Sequence, residues 1–159
     1  MMLDTGMNDL PRRIYLKHEI PSVVILENEH PAFFITICCQ RRGINQLADN
    51  MVWIEMLESI KNRQERGIWI CTLFVAMPDH VHAVMQFHGE TRMSLAIRGW
   101  KRWMTKKCGI FWQRGFFDHR LRSHESAAEK REYILNNPVR AGFVEKPGDW
   151  KYIWDMSAR

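Results

Sequence analysis

The chain holds no Cys-x-x-Cys pair, no apolar stretch long enough to cross a membrane, no internal repeat and no low-complexity tract. Each absence narrows the field. Its four cysteines, Cys38, Cys39, Cys71 and Cys108, lack the paired spacing of a metal or redox motif. Cys38 and Cys39 are neighbours and would face opposite sides of a strand, so all four read as reduced, buried thiols. A membrane helix needs about 18 to 20 consecutive apolar residues, and the N-terminus MMLDTGMNDLPRR lacks the charged-then-apolar order of a secretion signal. No membrane partner is expected, and the expected location is the cytoplasm. Acidic residues are the minority charge, 18 against 23 lysines and arginines, for a net charge of +5, and this favours a polyanionic partner. A length of 159 residues with 46% hydrophobic and 26% charged content suits one soluble domain with a core.

Residues 1–31 carry Pro11, Pro21 and Pro31 and read as an N-terminal arm, within which Val23 to Leu26 would pack as a short edge strand. From Ala32 the run AFFITICCQ reads as a strand ending at a turn. Asp49 or Asn50 caps a helix with Trp53, Met56, Leu57 and Ile60 on one face, closed by Gly67. IWICTLFVAM, 68–77, is an apolar strand, Pro78-Asp79 a turn, and His80 to Phe87 a second strand. Thr91 caps a helix with Met93, Ala96, Ile97, Trp100 and Met104 on its apolar face, and Gly109 ends it. IFWQRGFFDHRL reads as a strand interrupted by Gly115. Ser126-x-x-Glu129 is a capping-box signal for a last helix stopping at Asn137-Pro138. The domain spans 32–144, and 145–159 is a tail whose Trp150, Tyr152 and Trp154 pack down on it. The order strand, helix, strand, strand, helix, strand, helix predicts an α+β, ferredoxin-like domain: an antiparallel sheet with helices on one face.

Alternation along the second hairpin strand puts His80, His82, Val84 and Gln86 on one face and Val81, Ala83, Met85 and Phe87 on the other. Imidazoles at i and i+2 stand roughly 6 to 7 Å apart at Cα, from which two nitrogens can converge on one cation. A half-exposed polar strand face is the plainer alternative. Tyr133 and Asn137 stand at i and i+4 and could bring a phenol and an amide to that pair; taken alone, the first reads as a packed aromatic and the second as a helix-end residue. The stretch 98–122 interleaves Arg98, Lys101, Arg102, Lys106, Lys107, Arg114, Arg120 and Arg122 with Trp and Phe, a composition suited to phosphates and unpaired bases. Its rings equally suit a core, and its charges a solvated helix face. Asp118-His119 reads as an acid-base or orienting pair, or as a strand-end salt link.

PDHVH (78–82), the basic helix ending KKCG, FWQRGFFDHRLR and YILNNPVRAGFV (133–144) occur in that order. Together they resemble the HUH single-tyrosine transposases, and among them the REP-associated tyrosine transposases of bacteria. The resemblance spans about residues 32–144 and implies a ferredoxin-like HUH domain with a catalytic helix near the His-x-His strand. It implies His80, His82 and Asn137 as metal ligands, Tyr133 as nucleophile, and single-stranded DNA bearing hairpins of repetitive extragenic palindromes as substrate. Insertion-sequence relatives carry glutamine at the position of Asn137 and act as intertwined dimers; the asparagine and the C-terminal tail fit the REP-associated branch and a monomer.

A tyrosine with an unperturbed pKa of about 10 needs help to attack phosphorus at neutral pH. Two imidazoles and an amide form a neutral set that leaves a divalent ion its charge for the phosphate. Mg²⁺ or Mn²⁺ is the expected cofactor, and Mn²⁺, which accepts nitrogen ligands more readily, should serve at least as well. Two rival functions remain at the level of sequence: a hairpin-binding protein that no longer cuts, and another HUH nuclease such as a replication initiator. A plain metal phosphodiesterase, for which Tyr133 would be dispensable, is a third.

Overall fold

The computed structural model describes residues 30–158, so the arm's edge strand at Val23 to Leu26 lies outside the described residues. The elements are β1 (Ala32–Cys38), α1 (Asn50–Glu65), β2 (Trp69–Ala76), β3 (His80–Phe87), α2 (Met93–Cys108), β4 (Phe117–Leu121), α3 (His124–Leu135), α4 (Asn137–Arg140) and β5 (Ile153–Asp155). Every strand pair is antiparallel, in the spatial order β4-β1-β3-β2-β5. The first four strands with α1 and α2 make the ferredoxin-like α+β arrangement. The C-terminal segment adds β5 outside β2.

Strand alternation divides the core in two. Ile35, Ile37, Phe74, Ala83 and Met85 face α1 and α2, whose Met56, Ile60, Ile97, Trp100 and Met104 complete the larger cluster. Phe34, Leu73, Val75, Val84 and Leu121 face the other way, and Ile134 of α3 closes over them. The two connecting helices therefore share one face as expected, while α3 lies against β2, β3 and β4 on the second. His80 and His82 belong to that second face.

Three boundaries differ from the sequence reading. The α2 cap is Arg92, with no side-chain bond, in place of Thr91. Ser123, whose hydroxyl accepts from the Ser126 amide, caps α3 a turn earlier than the Ser126 signal. Asn137-Pro138 starts α4 instead of ending α3: proline is tolerated in a first turn, where its missing N–H costs no helical bond. Asn136 joins the two with φ −84° and ψ −4°, keeping the right-handed path, so Tyr133 and Asn137 stay about one turn apart on consecutive helices.

The strand read over 110–121 is also split. Trp112 bridges Cys39, and Phe117 pairs with Thr36. Between these points β1 advances three residues and its partner five, so the segment around Gly115 bulges out of the ladder. The Lys101 ammonium fills the bulge, donating to the carbonyls of Gln113, Arg114 and Gly115 at 2.6, 3.1 and 3.0 Å.

All four cysteines are free. Cys39 and Cys71 are buried and Cys38 and Cys108 half-buried. Burial, then the neighbouring Asp79 charge, pushes the Cys39 thiol up to about 12.

Candidate active site

The turn before β3 is fixed from both sides. Met77 N–H donates to His80 O at 2.8 Å, and the loop after β1 is tied to the turn by Gln46 and Leu47 amides bonding Pro78 O at 2.7 and 3.0 Å. Gly43, at φ +74°, adopts a left-handed conformation that side chains disfavour and aims its N–H at Asp79 Oδ2, 2.8 Å away. Arg42 Nε donates to the same oxygen at 2.8 Å. Burial alone would raise the Asp79 carboxyl; the bonds from His80, Gly43 and Arg42 outweigh it and hold the group at about 2.

An ionised carboxylate can only accept. Asp79 Oδ1 lies 2.7 Å from His80 Nδ1, so that nitrogen carries a hydrogen, and the ring's remaining ligating position is Nε2. His82 has a counterpart: Thr36, its cross-strand partner on β1, holds its hydroxyl 2.8 Å from Nδ1. His82 is buried, and burial first, then the charges of His80, Arg140, Arg42 and Lys130, lowers its pKa to about 3. It is a neutral base near pH 7. The two rings stand 4.8 Å apart between centroids, nearly perpendicular.

Phe34 stacks beside His82 at 5.4 Å and supports Tyr133 edge-on at 6.1 Å. Tyr133 lies 6.2 Å from the His82 ring in the same polypeptide and is 41% exposed, so solvent or a ligand reaches it. Two cations flank the phenol ring: Lys130 Nζ at 5.2 Å and the Arg140 guanidinium at 3.9 Å, whose NH2 also donates to Tyr133 O. Asn137 lines a cleft of about 360 Å³ together with Asp79 and His80.

The residues present fit a divalent ion. Both imidazoles have Nδ1 engaged by an orienting group, the pattern that fixes histidine ligands, and the Asn137 amide lines the cleft with His80. Among the described residues no group of three or more His, Cys, Asp or Glu could hold a metal; the candidate set here is two histidines and an amide.

Four of the other sequence candidates lie across the sheet from this site. Arg98, Arg102, Lys106 and Lys107 are exposed on α2, in the layer across the sheet. Lys101 is committed to its three carbonyls. Arg114 sits in the bulge and Arg122 follows β4, both exposed. Asp118 and His119 are consecutive on β4, so they face opposite sides: His119 pairs across from Phe34 on the site face, and Asp118 and Arg120 pair across from Ile35 and Phe33 on the helix-covered face.

A Haemophilus influenzae protein named, provisionally, as a REP-associated tyrosine transposase is 30% identical to the chain over 138 residues, 76% of this chain and 77% of that protein. The chain belongs to the REP-associated tyrosine transposase family. The Escherichia coli K12 REP-associated tyrosine transposase is likewise 30% identical, over 96 residues, 58% of each chain. A solved structure of a REP-associated tyrosine transposase bound to a REP hairpin shares the fold, with a TM-score of 0.69 at 23% identity, covering 89% of this chain and 81% of that one. No protein-family model matches.

Several residues of this family member escaped the sequence reading. Asp79 looked like turn chemistry, and only its place beside a histidine signalled more. Lys130 and Arg140, three before and seven after Tyr133, carried no signal until α3 and α4 brought them to its ring. Thr36 and Phe34 depended on the β1–β3 register.

Proposed function

We propose that this chain is a metal-dependent single-stranded DNA nicking and joining enzyme that acts on hairpins of repetitive extragenic palindromes through a 5′-phosphotyrosyl intermediate. The observation that supports it most is the exposed Tyr133 phenol beside two imidazoles with pinned Nδ1 atoms, all within one chain. His80, His82 and Asn137 would hold the ion. A bound divalent ion supplies a Lewis acid that polarises the scissile phosphate and offsets its charge.

Tyr133 Oη would attack phosphorus, forming the Oη–P bond as the P–O3′ bond breaks. The phenol loses its proton, and the departing O3′ ends as a hydroxyl. Lys130 and Arg140 border the ring and would offset charge on the phosphate and on the phenolate as it forms. Because the tyrosyl link conserves the ester, a 3′-OH can attack it in turn, restoring a phosphodiester and freeing Tyr133. Cutting and joining are one reaction in opposite directions. The family's hairpin-bound relative supports the substrate class, and the reading takes the chain to act as a monomer with its site complete in cis.

Incubation with Mn²⁺ and a labelled hairpin oligonucleotide bearing single-stranded flanks should yield a protein–DNA adduct that survives denaturation. Tyr133→Phe should abolish the adduct while binding the hairpin normally. Cleavage that persists in that variant would point instead to a phosphodiesterase using water.

A further inference from the structure

The cleft beside His80 and Asn137 has features that the nicking chemistry leaves unused. Phe143, just beyond α4, is 51% exposed and forms one wall. It stacks on Trp150 at 5.5 Å and 29°, and Trp150 is anchored by its indole N–H donating to Ala76 O at 2.9 Å. Trp150 in turn meets Tyr152 edge-on at 5.4 Å. An exposed ring is thus held on a rigid aromatic backing, with Met77, Pro78 and Ala141 completing an apolar lining. At about 360 Å³ the cleft falls in the range of small-ligand sites.

The polar groups of the rim are largely taken. Asn45 exchanges two hydrogen bonds with the Ala48 backbone, and Asp79 serves Arg42, Gly43 and His80. A ligand here would be held mainly by stacking. Positive charge stands next to it at Tyr133, where Lys130 and Arg140 flank the ring, while Arg42 is paired with the Asp79 carboxylate. A flat apolar group tethered to a phosphate meets both conditions.

We propose that this cleft binds one unpaired nucleobase flanking the phosphate at Tyr133, stacked on Phe143, with little preference for which base it is. The proposal rests on the nicking site described above. Base–aromatic stacking is sequence-tolerant because every base presents a π face. Phe143 therefore sets where the strand sits.

The test uses full-length protein carrying Tyr133→Phe, with Mn²⁺, so that binding is read without cleavage. Hairpin oligonucleotides carry an abasic residue or 2-aminopurine at successive flank positions. At one position, loss of the base should weaken binding about tenfold, 2-aminopurine there should be quenched, and exchange among the four bases should change little. Phe143→Ala should bind the intact oligonucleotide as weakly as the parent binds the abasic one, with no added penalty for both changes. Ala141→Met, which fills the cleft and leaves the Phe143–Trp150 stack in place, should do the same, and Phe143→Tyr should restore parental binding. Unchanged affinity in both cleft variants, or penalties that simply multiply, would overturn the proposal. Adduct formation by the chain with Tyr133 intact is scored separately: adduct without this coupling sinks the base site alone, and coupling without adduct sinks the covalent reading alone.

Discussion

Asp79 accepts three hydrogen bonds on two oxygens, and each serves the site differently. Arg42 and Gly43 on Oδ2 lock the turn to the loop after β1, and His80 on Oδ1 is forced into one tautomer. Asparagine would lose the charge that holds Arg42 and could present either an oxygen or an NH₂ to the ring. Asp79→Asn should weaken Mn²⁺ binding about 10- to 100-fold, the usual cost of losing an outer partner of a metal-bound histidine, with the protein still folded; affinity within twofold of the parent by calorimetry would remove Asp79 from the site. The imidazole pair was legible in the sequence because alternation in a strand needs no tertiary information. The group that orients His80 was not. A proline-aspartate turn is equally good turn chemistry whether or not its carboxylate is used elsewhere.

At the level of elements, the hydrophobic periodicities located α1, β2, β3 and α2 well, since each buries a continuous stripe or a whole strand. The misread boundaries all lie where local signals competed. Ser123 and Ser126 both suit a cap, and Ser123 won, adding a turn to α3. Lys101 has a structural contact that the sequence did not show. From sequence it belonged to a basic face suited to phosphates; in the fold its ammonium holds the 113–115 bulge, which lets β4 rejoin β1 in register. Desolvation lowers its pKa. Lys101→Met keeps the aliphatic stem and removes the donor. The carbonyls are partly open to water, so the loss should be about 1 kcal/mol of stability in denaturant unfolding, with hydrogen exchange rising in 113–116; unchanged stability and a selective loss of DNA affinity would return Lys101 to the binding surface.

For the molecule as a whole, the sheet separates two sets of side chains. The larger core and the α2 cations occupy one side, and the imidazoles, Phe34, Tyr133, Lys130 and Arg140 the other. This division was not legible from sequence, because the basic stretch 98–122 alternates with rings that could serve either side; Trp100 is core, and Trp103 is partly exposed with Lys107 over its ring at 5.0 Å. Among the described residues no helix is long and apolar enough to cross a membrane. The central claim is that His80, His82, Asn137 and Tyr133 of one chain surround a single divalent ion. Mn²⁺ titrated substoichiometrically into isotope-labelled protein tests it directly, since paramagnetic broadening of side-chain signals falls steeply with distance from the ion. The His80 and His82 rings, the Asn137 amide and the Tyr133 ring should broaden first, while Trp69, at the far end of β2 and paired with Phe87, persists; broadening centred elsewhere, or at the histidines without Tyr133 and Asn137, would contradict the account.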